Sequence, residues 1–215
     1  MATYYFRNTG TGVWGLASNW SLTSGGGATG AIPTATDTAV FDSNSISCTL
    51  NTSNRVCLAL SCTTYTQTLN FSTFNLTVSG NIDLGSNMTL TSTTGSLIIN
   101  ANSTIKTNGK TMSVPFNVST AGRIITLVDN FVMTRDLTIL GTLASPITAQ
   151  TSSTPTQRKF TIPQGVTYSI DYCVAVDLDS GDGVTAWNYK GTQTNCINWK
   201  DLPTQPPPIF QILGI

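Results

Sequence analysis

The sequence contains no histidine, and all ten of its acidic residues are aspartates. Without histidine, the chain cannot build the Ser-His-Asp or Cys-His arrangements that activate a nucleophile in many hydrolases. Two carboxylates could cleave a glycosidic bond if they lay roughly 5 to 10 Å apart in a groove, but nothing in the sequence marks such a pair. The glycines form no phosphate-binding loop. The sequence therefore predicts a protein that is not an enzyme and that needs no cofactor.

Charge is also scarce, at 9% of the residues against about 25% in an average soluble protein. Ten basic and ten acidic residues give a net charge of zero, whereas a surface that binds phosphates needs a basic patch. No run approaches the ~20 consecutive apolar residues of a transmembrane helix. We therefore expect neither nucleic acid nor a membrane among the partners.

Residues 1–7 lack the basic segment and apolar segment of a signal peptide, so none is predicted there. A composition typical of proteins outside the cell, without an export signal, favours a component of a virus particle that is released by lysis. The localisation expected from the sequence is the virion, at the capsid surface. Non-classical secretion would also fit, and the extracellular space or cell surface is the alternative.

The cysteine count is odd, which leaves at least one thiol unpaired or bonded to another chain. The five are Cys48, Cys57, Cys62, Cys173 and Cys196. With no CxxC motif and no histidine, a zinc site is not expected, and most of these residues should be small buried hydrophobic side chains. Cys173 and Cys196 bracket one C-terminal segment and are predicted to form a disulfide.

In place of charge the chain carries Thr, Ser, Asn and Gly, and β-branched residues of this kind favour strands. Apolar residues recur at alternate positions between residues 69 and 139, and Gly, Asn and Ser separate the runs. Leu76, Ile82 and Met88 are spaced six residues apart. The pattern predicts an all-β fold, a short β-solenoid with a capped N-terminus in which each rung stacks on the next. A β-sandwich or jelly roll is the alternative.

Composition divides the chain into four predicted segments. They are an N-terminal cap with the first strands (1–45), a repetitive β body (46–145), a C-terminal β segment (146–200) and a proline-rich arm with an apolar tip (201–215). The polar stretch 146–160 is predicted to be a loop or boundary. These segments predict one elongated scaffold rather than several enzymatic domains.

The arm combines a stiff spacer with an apolar end. Its spacer is Pro206, Pro207 and Pro208, and its tip contains Ile209, Phe210, Ile212 and Leu213. Polyproline is extended and semi-rigid, and an exposed apolar tip is unfavourable in water. We expect the arm to dock on a neighbouring subunit; a tail that folds back on its own domain is the alternative.

One acidic turn has the composition of a calcium loop. Asp177, Asp179 and Asp182 lie among glycines, and calcium prefers several carboxylate oxygens in a tight turn. The third aspartate is displaced by one residue, and no glutamate closes the loop. A glycine-rich turn with Asx-type hydrogen bonds is the preferred interpretation, and calcium stays a weak candidate.

Aromatic residues offer two roles. Tyr4, Tyr5, Tyr65, Trp187 and Tyr189 could stack on sugars if they are exposed. Tryptophans in a stack of strands more often plug its open ends, where backbone edges would otherwise be exposed. We therefore expect the tryptophans to close the scaffold.

The N-terminal block resembles one found at the start of β-solenoid structural proteins of tailed phages and bacterial surface proteins. There the pattern is W-x-x-A-x-N-W-S, a Gly-rich loop, and P-T-A-x-D-x-A-V-F-D. This chain has it at 14–21, 25–27 and 33–42. Three later stretches are similar to rungs of those proteins, at 107–111, 136–143 and 168–199. The resemblance implies a solenoid with no catalytic residues, in which Trp14 and Trp20 form a lid.

The function expected first is that of a virion structural protein, a capsid decoration or cement protein. Such a protein would form a homo-oligomer, as a trimer, and would bind the major capsid protein or other virion proteins. A receptor- or glycan-binding tail fibre or adhesin module is the second expectation. A subunit of an extracellular filament is the third.

Overall fold

A computed structural model describes residues 1–181 and 185–202. Regular structure in these residues consists of 24 strands and one 3₁₀ turn at Ala17–Asn19. Nearly all strand pairs are parallel, and they stack into a β-solenoid of about seven turns. The predicted solenoid is confirmed. A sandwich is excluded because its neighbouring strands run antiparallel.

The N-terminal residues cover the first turn. Strand β1 (Thr3–Phe6) pairs with β2 (Trp20–Ser21) in the antiparallel sense and with β3 (Thr38–Val40) in the parallel sense. Strand β3 then pairs with the first strand of the next turn. The antiparallel β2 therefore ends the longest sheet at its N-terminal edge, where a further parallel strand could otherwise add.

Each turn has three sides, and the strands of one side form one sheet or two. Side A continues from β3 through β6 (Ala59–Ser61), β9 (Ile82–Asp83), β12 (Ser103–Lys106), β14 (Ile124–Leu127), β17 (Ile147–Thr151), β20 (Cys173–Val176) and β23 (Thr192–Thr194). Side B consists of β4 (Cys48–Thr49), β7 (Thr68–Asn70), β10 (Thr89–Thr91), β15 (Phe131–Val132), β18 (Arg158–Thr161) and β21 (Leu178–Asp179). Met112 and Met133 form a parallel bridge on side B.

Side C completes the triangle. Its strands are β5 (Arg55–Cys57), β8 (Leu76–Val78), β11 (Leu97–Ile99), β13 (Phe116–Val118), β16 (Leu137–Leu140), β19 (Tyr168–Asp171), β22 (Ala186–Tyr189) and β24 (Trp199–Leu202). Sides A and C continue across residue 145, since β14 pairs with β17 and β16 pairs with β19. The polar stretch 146–160, predicted to be a loop, instead contains β17 and the start of β18, so that prediction is wrong.

The six-residue spacing predicted from the sequence is the step between sides, not the step between turns. Leu76 lies on side C, Ile82 on side A, and Met88 just before side B. The residue stacked on Leu76 is Leu97, one full turn later, and the residue stacked on Ile82 is Ile105. Short runs with turns between them therefore follow the three sides of a single rung.

Period-2 alternation places one set of side chains inside the triangle and the other outside. Leu76, Val78, Leu97 and Ile99 are buried in the core, whereas Thr77 between them faces outward. Stacked identical or similar side chains fill the interior from turn to turn. The apolar core is therefore a column along the solenoid axis.

Aromatic rings close this column near both ends. Near the N-terminus the ring centroids lie 4.9 to 5.7 Å apart in a group of Phe6, Trp14, Trp20, Phe41 and Tyr65. Towards the C-terminus they lie 5.1 to 5.8 Å apart along Phe116, Phe131, Phe160 and Trp199. Each such pair adds about 0.5–1.5 kcal/mol beyond the area that it buries.

Asparagines join successive turns at the corners. Asn54 Oδ1 accepts a hydrogen bond from Asn75 N, and Asn75 Oδ1 accepts one from Ser96 N, both at 2.9 Å. At another corner, Asn81 Oδ1 accepts from Thr104 N and Asn102 Oδ1 accepts from Ile124 N. These amide oxygens satisfy backbone N–H groups at the corners and at the starts of β12 and β14.

Candidate functional site

The tryptophans predicted to form a lid are fully buried over the first turn. Trp14 N donates to Thr49 O at 3.0 Å, which ties the lid to side B. Trp20 Nε1 donates to Trp14 O at 2.8 Å, and the two rings lie 4.9 Å apart. Neither ring has exposed surface. The block at 14–20 therefore offers no aromatic platform to a ligand and serves to close the solenoid.

The glycine-rich loop behind the lid is held by charged side chains. Arg7 Nε donates to Gly26 O and Arg7 Nη1 donates to Ser18 O. The Asp37 carboxylate accepts hydrogen bonds from the Thr34 hydroxyl and the Ala2 N–H. The Thr34 hydroxyl bond is the main reason that the pKa of Asp37 is lowered. These charges stabilise the cap.

Tyr65, expected among exposed aromatics, is buried at 1% exposure, so that expectation is wrong. Its ring packs against Phe41 and its hydroxyl donates to the carbonyls of Ile46 and Thr68. A tyrosine can be buried in this way because its polar tip finds backbone acceptors. The side chains of Trp187 and Tyr189 lie outside the described residues.

Three of the cysteines are sealed in the core of the first turns. Cys48, Cys57 and Cys62 have no exposed surface. Burial raises the pKa of all three thiols, and it raises that of Cys57 to about 12. Because the thiolate is the reactive form, these side chains are poor nucleophiles and act as small hydrophobic residues, as predicted.

The predicted disulfide between Cys173 and Cys196 is wrong, since the structure contains both as thiols. Cys173 begins β20, whereas Cys196 follows the end of the neighbouring strand and lies beside Leu178, whose N–H donates to Cys196 Sγ. The two residues thus sit at opposite ends of adjacent strands. A disulfide needs Cα atoms roughly 4.4–6.8 Å apart.

In the weak calcium candidate, the first two carboxylates accept hydrogen bonds from the chain itself. Asp177 Oδ1 accepts from Asn195 Nδ2 at 2.5 Å, and Asp179 Oδ1 accepts from Gly181 N at 2.8 Å. Asp182 lies outside the described residues. Within residues 1–181 and 185–202, no three cysteine or aspartate side chains are grouped so that they could hold a metal ion.

Two further carboxylates meet at a corner between sides A and B. Asp83 Oδ1 accepts from Asn108 Nδ2, and Asp129 accepts from the N–H groups of Thr107 and Asn108. Lys106 Nζ lies 3.8 Å from Asp83 Oδ2. Both acids stabilise the turn after β12, in which Asn108 has a φ of 52°. This corner is a structural turn, since its acceptors are used by the chain itself.

The C-terminal end of the described solenoid contains Trp199, which is 3% exposed and packs against Phe160. Ile197, on the last turn, is 46% exposed. The first two residues of the predicted arm, 201 and 202, belong to β24. The rest of the arm lies outside the described residues, including Pro206, Pro207, Pro208, Ile209, Phe210, Ile212 and Leu213. In the part of the chain that is described, no helix has the length and apolar character that crossing a membrane requires.

Side A carries a shallow groove that the sequence did not reveal. Its volume is about 190 Å³, and it is lined by Asn81, Asn102, Ser103, Thr104, Ile124 and Thr126. Asn81 immediately precedes β9 and Asn102 immediately precedes β12, but the register places Asn81 beside Thr104 and Asn102 beside Ile124. The sequence shows only an asparagine just before the side-A strand of two consecutive turns, and the contact of each with the next turn follows from the register.

No protein-family model matches the chain, and no curated protein or solved structure matches it either.

Proposed function

We propose that this chain is a structural protein of a virus particle and that it decorates the outer surface of the capsid. The observation that supports this most is that the two ends of the solenoid differ. The buried pair Trp14 and Trp20 closes one end, and β24 is the last strand described at the other end. A rod whose two ends differ in this way is suited to stand on a surface.

The core supports a mechanical role. Parallel strands satisfy one another's backbone groups, and asparagines such as Asn75 satisfy the corners. Side chains that could be reactive serve the fold instead: the Cys57 thiol packs in the core, and the Asp129 carboxylate accepts hydrogen bonds in a turn. Such a scaffold adds buried contact area at a seam between subunits without a chemical step.

The apolar tip of the arm supplies the contact in this proposal. In this proposal residues 209–213 bury against a neighbouring subunit or the capsid protein, because a stiff proline spacer would keep them away from their own domain. A trimer is the oligomer that we propose. The low charge of the chain makes the association weakly dependent on salt.

Binding to phage heads that lack the protein tests this function. The full-length chain should sediment with the heads at a fixed ratio to the shell protein, and the ratio should change little between about 0.1 and 1 M salt. Ile209→Asp with Phe210→Asp should abolish binding, whereas the matched pair Thr204→Asp with Gln205→Asp should retain it. A chain that stays in the supernatant at every ratio would refute the proposal.

A further inference from the structure

The groove on side A is built from side chains that the fold holds in place. Asn81 Oδ1 accepts a hydrogen bond from Thr104 N at 3.1 Å, and Asn102 Oδ1 accepts one from Ile124 N at 3.0 Å. Both asparagines are exposed. Because each amide oxygen is fixed by the next turn, the orientation of each Nδ2 group is fixed as well.

These Nδ2 groups are unused donors. Within residues 1–181 and 185–202, neither the Nδ2 group of Asn81 nor that of Asn102 has a hydrogen-bond partner. Thr104 and Thr126 add half-exposed hydroxyls from two neighbouring strands. Gln150 Nε2 donates to Thr126 Oγ1 at 3.3 Å, which leaves the hydroxyl proton of Thr126 for another acceptor. The groove thus offers several neutral donors at fixed positions.

Ile124 adds an apolar wall to this polar set. Its side chain is 39% exposed, although it belongs to β14, and it lines the groove between Asn102 and Thr126. None of the six lining residues is charged. An anion would find no cation here, and a purely apolar ligand would leave the amide donors unpaired.

Neutral donors beside one apolar wall match the chemistry of a sugar ring, which presents hydroxyl oxygens at its edge and C–H groups on its face. The groove has a volume of about 190 Å³, which is smaller than the roughly 300–1,000 Å³ of drug-sized sites. It therefore has room for one sugar ring. We propose that this groove binds one residue of a neutral glycan chain. A site this small predicts a dissociation constant on the order of 1 mM.

Titration of the ¹⁵N-labelled full-length chain with glucose, galactose, mannose and N-acetylglucosamine, each alone, tests the site by NMR. At least one sugar should shift the side-chain amide signals of Asn81 and Asn102 together with the backbone signal of Ile124. Retention of the chain on beads that carry the same sugar should follow, because the site is proposed for a glycan chain. If the free sugar binds but the chain is not retained on the beads, the proposal that the ligand is part of a glycan chain is overturned.

Two variants fill the groove without touching the core. Thr126→Lys and Thr104→Lys each place a long side chain in it and should weaken binding at least tenfold. Thr77→Lys is the matched control, since Thr77 faces outward from the centre of β8 on side C, and it should bind as the unmodified chain does. If one groove variant fails to fold, the other still decides. No shift with any sugar, or equal shifts in Thr104→Lys, would overturn the proposal. The site does not depend on capsid binding, so the two failures are distinguishable.

Discussion

Trp20 Nε1 donates a hydrogen bond to the carbonyl oxygen of Trp14 at 2.8 Å, and both rings are fully buried. Trp20→Phe keeps an aromatic ring but leaves that buried carbonyl without this donor, so it should lower the free energy of unfolding by about 1–3 kcal/mol. Trp20→Ala also removes the ring and should cost about 3–5 kcal/mol. Denaturant unfolding followed by circular dichroism measures both changes.

Leu22→Ala is the control for the lid, since Leu22 is 58% exposed two residues after Trp20. Its free energy of unfolding should stay within about 0.5 kcal/mol of the unmodified chain. A Trp20→Phe variant as stable as Leu22→Ala would show that the indole hydrogen bond does not hold the lid.

Gly85 allows two consecutive turns to approach closely. A Cβ atom at this position would overlap the backbone oxygens of Cys62 and Tyr65 in the preceding turn. Gly85→Ala should therefore destabilise the protein by about 1–3 kcal/mol, as overpacked core substitutions do. Gly27→Ala is the matched control, because no atom lies within 4 Å of a Cβ there. Thermal unfolding of the two variants compares them, and equal midpoints would contradict the stacking of these turns.

Asn75 links three turns through its side-chain oxygen and its backbone N–H. Asn75→Ala removes the acceptor for Ser96 N and should lower the free energy of unfolding by about 1 kcal/mol. Asn75→Asp keeps an oxygen at the same place and should cost less. Urea titrations at neutral pH measure this order, and a more stable alanine variant would contradict the role of the corner asparagines.

Buried thiols make the protein sensitive to alkali. Burial raises the pKa of Cys57 to about 12, whereas a thiol in the unfolded chain titrates near 8.5. As the pH rises between these values, the unfolded state loses its proton first, so the stability that the thiol contributes is complete below about pH 8.5 and is lost towards about pH 12. The slope approaches about 1.4 kcal/mol per pH unit for each such thiol.

Unfolding of the reduced protein between about pH 8.5 and 11 measures this slope. Cys57→Ala should show a shallower fall than the unmodified chain, because one titrating group has been removed. A parallel fall in both proteins would mean that the Cys57 thiol is not protected by the fold. Asp37 makes stability depend on pH in the opposite direction. Its pKa is lowered in the folded protein, so its carboxylate stabilises the fold above the pKa that it has in the unfolded chain. That stabilisation is lost as the pH falls through the lowered pKa.

Alternation made the core predictable. Leu76, Val78, Leu97 and Ile99 repeat at every second residue and are all buried, because successive side chains of a strand point to opposite faces. The length of a turn was not predictable, since three short sides produce the same local pattern as three stacked rungs. The residue that stacks on Leu76 is known only once the register is seen.

The features that could not be predicted from the sequence are those that depend on the register between strands. The position of Cys173 relative to Cys196 follows from where β20 begins and where β23 ends. The fact that the two cysteines flank one segment of the sequence does not determine it. The groove requires Asn102 and Ile124 to be neighbours across turns, which no local motif indicates. Burial of Tyr65 depends on backbone acceptors from two other segments.

Cryo-electron microscopy of phage heads incubated with the full-length protein tests the central proposal most directly. We predict added density at regular positions on the shell, shaped as short three-sided rods, with the Trp14–Trp20 end farthest from the capsid. Heads without added density, or rods whose Trp14–Trp20 end contacts the shell, would contradict the account.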